Sequence, residues 1–559
     1  MKRAGAIAFL SIFIVALALV QNTRAAPATK SEAGAEQQVK RLRVPRRTEG
    51  LVVKIDSGIL EGTHSPDNPK LVFFRGIPYA APPVGELRWK PPQLPARWHS
   101  TRKADELSAA CPQTDFMDRI RRRILSMVGG DQSLVKPIGR TSEDCLYLNV
   151  MTTGLHNKTP QPVMVWIHGG GGVIGRGDDD GATLASKGVV VVTINYRLGV
   201  FGWLSHSALT VESPHQSSGN YGLLDQIAAL QWVRRNIAKF GGDPANVTIF
   251  GHSSGGEYVG CLMVSPLTRG LFQRAIMQSG VPLDLHPSVH HPGGAVESAQ
   301  SHGVEFARKL GVRDDTAEIK KLRSISADDL LKASADGSFD AVVDGWVLPE
   351  QPLAVFARHE QADVPVIVGS TAREFSNLIG PQERTPEMFR DWVQKSYAPI
   401  ADDILPMYVI PTPADAREAF IRARTDLEMT APARWAAQAM QGMKSNAYLY
   451  EVTWAFPSRG GQQLGAFHGM DPLLMFDSLP VPRDATGDVL AEALRNYWIQ
   501  FARTGNPNIQ GLPKWPPYNA ATASYLDLGA KIRAAARLHQ DAFALVDRLY
   551  TDRLSSIRP

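Results

Sequence analysis

Cysteine is scarce: only Cys111, Cys145 and Cys261 occur in 559 residues. Such a chain must hold together mainly by packing. Cys111 and Cys145 could close one loop, and Cys261 reads as a buried free thiol. As a nucleophile Cys261 lacks a motif. A dominant charge is also missing. The net charge of +5 is mild and its residues are dispersed, which speaks against a nucleic-acid partner. No Gly-Lys-Ser/Thr follows a glycine run, so a phosphate-cradling loop is disfavoured. His286, His290 and His291 sit in a Pro-containing loop without a matching third site, so no metal is expected. No internal repeat is present, and no clear linker after residue 50.

Long apolar runs are absent after the N-terminus. The single one, Ala4–Val20, follows Lys2 and Arg3 and precedes Gln21–Ala28. A short positive region, an apolar stretch and small residues make a secretory signal peptide, expected over 1–25. Residues 26–48 are Ala-, Lys- and Arg-rich without apolar period and read as a disordered tail or linker. One large domain is expected over 49–555. No stable membrane insertion is expected once the leader is cleaved, and secretion or periplasmic export follows.

What is present is an alternation. Continuous apolar runs at Pro162–Ile167, Gly188–Asn195, Val247–Phe250, Ala275–Gly280, Val366–Gly369 and Asn446–Val452 read as buried strands. Helical patterns at Gln226–Phe240, Val304–Leu310, Ala327–Ala333 and Val489–Thr504 fall between or after them. Strand and helix in turn imply an α/β fold: a large, mostly parallel, twisted sheet covered by helices on both faces.

The chemistry concentrates at Gly251-His252-Ser253-Ser254-Gly255, directly after the apolar Val247–Phe250. G-x-S-x-G between a strand and a helix puts a serine on a sharp turn, its hydroxyl exposed at the sheet edge. An activated serine needs a base, an orienting acid and an oxyanion hole, in the chain order serine, acid, histidine. Glu374, a few residues past the Val366 strand, is the acid candidate. His468, within Gly465–Asp471, is the base candidate. Two glycines of His168–Gly172 and the Ser254 N–H can supply oxyanion donors. On the residues alone, Glu374 could still be a surface glutamate and His468 a loop histidine without chemistry.

Assembled, these residues resemble the type-B carboxylesterase family, the cholinesterase-like branch of the α/β-hydrolases. The resemblance runs from about Leu51 to beyond Trp515. It rests on Phe74–Ala80 with Pro82–Trp89, Ser142–Asn149, Trp166–Gly171, Asn195–Phe201, Phe240–Gly256, Ala275–Gly280, Asp344-Gly345, His468 and Tyr497–Pro507. It implies Ser253 as nucleophile, Glu374 as acid and His468 as base, with oxyanion donors Gly170, Gly171 and Ser254. It further implies that Ser279 supports the acid and that Cys111 and Cys145 form a disulfide. The activity implied is hydrolysis of a small-molecule ester through an acyl-enzyme, with no cofactor. Amide, lactone or carbamate cleavage and a non-catalytic binding role are the alternatives.

The chain departs from the family at several places. His252 stands where the family commonly has Glu, and no Trp lies between Cys111 and Cys145. Both argue against choline esters. Gly172 replaces a frequent bulky aromatic and should widen the pocket or loosen the loop. Phe375 follows the acid in place of Gly. The basic balance, the arginines of Arg119–Arg123, and Arg176 beside the glycine run suggest an anionic or polycarboxylate ester, and a widened pocket at Gly172 would suit a bulky one.

Overall fold

The computed structural model describes residues 51–557 apart from 136, 290–297, 314–317, 336, 338, 381–383 and 478–480. The expected leader and tail, and His290 and His291, lie outside the described residues.

The first strands are β1 (Val52–Lys54), β2 (Ile59–Glu61), β3 (Thr63–His64), β4 (Val72–Pro78) and β5 (Thr101–Lys103). Then come β6 (Tyr147–Thr152), β7 (Gln161–Ile167), β8 (Val190–Ile194), β9 (Gly242–His252) and β10 (Arg274–Gln278). The last are β11 (Val366–Thr371), β12 (Ala447–Val452), β13 (Ser524–Leu528) and β14 (Arg533–Ala536). β1, β2 and β5 form a 3-stranded sheet, and the others an 11-stranded sheet in the order β14-β13-β12-β11-β10-β9-β7-β8-β6-β4-β3.

From β8 to β13 every neighbouring pair is parallel. Antiparallel strands finish both edges. The composition explains the parallel centre. β8 (Val-Val-Val-Thr-Ile) and β11 (Val-Ile-Val-Gly-Ser-Thr) are buried along their whole length, as strands covered on both faces must be. Two hydrophobic clusters accordingly flank the sheet, one holding Val165, Ile249 and Val368, the other Trp166, Phe250 and Ile367. Neighbouring residues of one strand fall into opposite clusters because side chains alternate between faces.

The chain leaves β7 for β8 on one side and then returns to place β9 on the other. This reversal of order opens a crevice at the C-terminal strand ends, the usual ligand site of such sheets. The glycine run follows β7, the G-x-S-x-G turn ends β9, Glu374 follows β11 and His468 follows β12.

The helix expected at Gln226–Phe240 begins earlier, as an α-helix over Tyr221–Asn236 continued by a 3₁₀ turn at Ile237–Phe240. It is not amphipathic in the ordinary sense. Asp225, Gln226 and Asn236 are buried along with its apolar residues. Asp225 is accommodated because Arg197 reaches it with Nε and Nη2, each at 2.7 Å. The arginine-rich segment is a helix over Phe116–Val128, and the late helix spans Ala485–Thr504. Cys111 and Cys145 are joined as a disulfide, with Cα atoms 5.0 Å apart. Cys261 is a buried free thiol, pushed up in pKa by burial and by the carboxylates of Glu257 and Asp340.

Candidate active site

Ser253 sits between the end of β9 and the helix Ser254–Val264, with φ 58° and ψ −131°. That backbone is strained for a residue with a Cβ, and such strain concentrates at functional positions. The turn is fixed from both sides. Ser253 N–H donates to Gln278 O at 2.8 Å, and Ser253 O accepts from Glu257 N at 3.0 Å. The flanking glycines are steric requirements: a Cβ on Gly251 would lie 2.4 Å from Gly255 O, and one on Gly255 would lie 2.2 Å from Ile167 O.

The acid and the base meet across two loops. Glu374 is fully buried; His468 Nδ1 donates to its Oε2 at 2.5 Å, and Thr371 N–H donates to its Oε1 at 2.6 Å. The backbones are tied as well: His468 N–H donates to Glu374 O at 3.2 Å, and Arg373 N–H to Ala466 O at 2.9 Å. With Nδ1 donating to the carboxylate, Nε2 is left as the proton acceptor. Ser253 Oγ makes no hydrogen bond to His468 among the described residues. Contacts of this kind commonly tighten only around substrate. The His252 ring lies 4.4 Å from that of His468, so the imidazole stands beside the serine turn. Burial, and then the His468 charge, hold the His252 pKa well below its ordinary value. His252 is therefore neutral, and its Nε2 is buried without a hydrogen-bond partner.

The glycine run has φ of 119°, 63° and 69° at Gly170, Gly171 and Gly172, a left-handed succession that residues with a Cβ do not sustain. The N–H groups of Gly170, Gly171 and Ser254 have no hydrogen-bond partner among the described residues. Those of the loop are thus available to a ligand, as is that of Ser254, the first residue of its helix. His168 braces the run. Its ring stacks on Tyr196 at 4.3 Å, its Nδ1 lies 2.9 Å from Gly169 O, and burial lowers its pKa to about 4.

Three expectations need correction. Ser279 makes no direct hydrogen bond to the acid among the described residues; its Oγ is buried without a partner, and the second carboxylate oxygen of Glu374 accepts from Thr371 N–H. Gly172 does not open the pocket. A Cβ there would stand 2.3 Å from Tyr258 Oη, so the hydroxyl already fills the space an aromatic side chain would need. Arg176 is not a free cation, since it pairs with Asp178 at 2.6 Å and its other Nη donates to Ile138 O.

The residues missed by sequence reasoning are those that hold the two loops. Asn377 Nδ2 donates to His468 O at 3.1 Å. Asp471 is fully buried and accepts from Tyr450 Oη at 2.6 Å and Gln278 Nε2 at 2.8 Å. Burial pushes its pKa to about 6 against those hydrogen bonds. Asp471 lies three residues after His468, but no local pattern announces partners on β10 and β12.

Comparison with known proteins agrees with this geometry. A profile described as the Carboxylesterase family matches residues 49–545. The para-nitrobenzyl esterase of Bacillus subtilis (strain 168) is 34% identical over 486 residues, covering 82% of this chain and 91% of that one. The fumonisin B1 esterase of Sphingopyxis macrogoltabida is 33% identical over 485 residues, covering 84% of each. Among solved structures, a PNB esterase superposes with a TM-score of 0.75 at 31% identity, over 89% of this chain and 99% of that one. The matched region includes the glycine run, the serine turn and both loops, and on these matches the chain belongs to the carboxylesterase family of carboxylic-ester hydrolases.

Proposed function

We propose that the protein is an exported serine esterase that works through Ser253, His468 and Glu374. The observation that carries this reading is the Glu374–His468 pair at 2.5 Å beside a serine on a strained turn. Ser253 Oγ attacks the ester carbonyl while His468 Nε2 takes its proton. The carbonyl oxygen becomes an oxyanion between the N–H groups of Gly170, Gly171 and Ser254. Glu374 steadies the imidazolium. Collapse of the tetrahedral intermediate breaks the C–O bond, and His468 returns the proton to the leaving alcohol. Water, deprotonated by the same imidazole, then releases the acid and restores Ser253.

Export is supported by the apolar N-terminal run and by the Cys111–Cys145 disulfide, which persists in oxidising compartments. Fractionation of producing cells checks it: a cytoplasmic, full-length product with free Cys111 rejects export. The chain is read as a single catalytic unit over 49–555.

Preference for anionic esters is supported by a group of arginines other than Arg176. Arg123, Arg373 and Arg384 all act on Arg417 electrostatically, and Glu418, bound by Arg373, is the acid among them. Arg373 adjoins Glu374, so the positive field borders the acid loop. Arg123→Gln with Arg384→Gln is expected to raise KM for anionic esters several-fold more than for neutral esters of equal size, and more so at low salt. Equal changes reject the preference.

The test of the reaction itself is a panel of esters and matched amides given to wild type and Ser253→Ala, with fluorophosphonate labelling. Ester cleavage lost with Ser253 supports the reading. A wild type that neither cleaves nor labels rejects it in favour of binding, and faster amide turnover rejects the ester preference.

A further inference from the structure

The oxyanion loop is held at Gly172 by side chains that the reaction scheme does not use. Gly172 N–H donates to Ser254 Oγ at 3.2 Å. Gly172 O accepts from Trp203 Nε1 at 3.0 Å and from Gly199 N–H at 2.7 Å. Its remaining side, where a Cβ would stand, faces Tyr258 Oη at 2.3 Å from that position. Tyr258 is itself fixed. Its ring stacks on Trp203 at 4.8 Å and meets Tyr196 edge-on at 5.9 Å, and its hydroxyl donates to Asp340 Oδ1 at 2.8 Å.

Ser254 and Tyr258 are four residues apart on the helix Ser254–Val264, and so lie on one face of it. That helix supplies one oxyanion donor through Ser254 N–H. The loop supplies the others through Gly170 and Gly171. Consecutive glycines with positive φ have no side chains with which to anchor themselves, and their freedom is large. An oxyanion hole stabilises only if its donors are already in place when charge develops. Something must therefore hold this loop in register with the helix.

We infer that Tyr258 and the Ser254 hydroxyl are positioning residues of the oxyanion hole, clamping Gly172 so that the Gly170 and Gly171 N–H groups stay aligned with Ser253. Gly172 and Tyr258 form a matched pair: a bulky residue at 172 and the Tyr258 hydroxyl compete for one volume. The inference rests on Ser253 being the nucleophile.

The experiment compares wild type, Ser254→Ala, Tyr258→Phe, Gly172→Ala and the double variant Gly172→Ala/Tyr258→Phe. Ser254→Ala keeps the main-chain donor and loses only the tether. A donor moved by a fraction of an ångström forfeits part of its effect, so Ser254→Ala and Tyr258→Phe should each lose about tenfold in kcat, with KM within about twofold. A trifluoromethyl ketone, which adds to the serine as an oxyanion-bearing adduct, should lose affinity in parallel with kcat/KM. A merely structural role would lower the melting midpoint without that correlation. Gly172→Ala should lose about a hundredfold or more in kcat/KM, and Tyr258→Phe should restore part of it, because the added methyl would then meet Trp203 Nε1 at 3.2 Å and the ring Cζ at 3.5 Å in place of the hydroxyl at 2.3 Å. Unchanged kcat in Ser254→Ala and Tyr258→Phe, or no rescue in the double variant, overturns the clamp while leaving the esterase reading intact. An inactive wild type that also fails to label at Ser253 overturns both.

Discussion

At the scale of single residues, the candidate site depends on a few atoms whose loss has distinct signatures. Glu374→Gln keeps the shape of the acid but can present its N–H₂ to His468 Nδ1, which favours the wrong tautomer. kcat should fall about 10³- to 10⁴-fold while substrate binding changes little. Single-turnover kinetics with a chromogenic ester checks this, and a loss under tenfold would remove Glu374 from the role. Asn377→Ala should act more gently. It removes the hydrogen bond to His468 O without touching the imidazole, so kcat should drop about tenfold at most and the pH profile should keep its shape. Gly255→Ala should fail altogether, since its Cβ would stand 2.2 Å from Ile167 O at the crossing of β7 with the serine turn. Soluble expression with measurable activity would contradict the packing described for the turn.

At the scale of elements, two covalent or ionic ties hold segments far apart in sequence. The disulfide closes a separation of 34 residues that contains the helix Phe116–Val128. Cross-linking a loop of that size stabilises by about 3–4 kcal/mol on chain-entropy grounds. The same loop touches the site, because Gln113 exchanges two hydrogen bonds with Gly175, each at 2.7 Å, just past the glycine run. Paired Cys111→Ser and Cys145→Ser should therefore lower the denaturation midpoint and also reduce kcat; a stability loss with unchanged kcat would separate the loop from the oxyanion run. The second tie is His539, whose Nδ1 lies 2.5 Å from Asp426 on the π-helix Thr425–Thr430 and whose Nε2 lies 3.1 Å from Glu451 on β12. Burial alone would lower its pKa, but the two carboxylates raise it to about 10. A pKa raised above its unfolded value contributes stability that is complete below about pH 6.5 and lost as pH climbs through 10. Denaturation midpoints of wild type should fall between pH 7 and 10, and those of His539→Gln should start lower and fall less. Parallel slopes in the two proteins would reject the clasp.

At the scale of the whole molecule, the interior of the large sheet, antiparallel β4 and β6 included, has both faces covered. β7, β9 and β10 carry apolar residues into both clusters, whereas the 3-stranded sheet has exposed strands such as Thr101–Lys103. Amide exchange should be slowest in β7–β11 and fastest in the 3-stranded sheet and the outermost antiparallel strands β3 and β14. Uniform protection across both sheets would contradict this ordering.

How much of this was readable beforehand follows from the range of the forces involved. The parallel centre was legible because β8 and β11 are continuous apolar runs, and a strand covered on both faces has no alternative composition. The serine turn was legible because its glycine spacing is a local motif after an apolar strand, although the contact that forbids a side chain at Gly255 comes from Ile167 at the end of β7. β13 and β14 were not, since Arg533–Ala536 has no alternating pattern and is held by its neighbour in the sheet. The helices between Ala416 and Ala439 and the terminal helix Gln540–Ser556 also went unread, because their apolar residues are packed by distant partners such as Trp435 against Tyr550. The sequence by itself determined the fold class, because patterning is local, and it singled out Ser253 by its motif as the candidate nucleophile, while Glu374 and His468 were set above a surface glutamate and a loop histidine only by the family resemblance. Only the tertiary structure decided that Ser279 makes no direct hydrogen bond to the acid, that Arg176 is neutralised by Asp178, and that Tyr258 fills the space above Gly172. The Ser279 and Tyr258 placements depend on how separate segments meet, which the sheet order sets, whereas Asp178 stands two residues from Arg176 and only the folded loop turns the two side chains together.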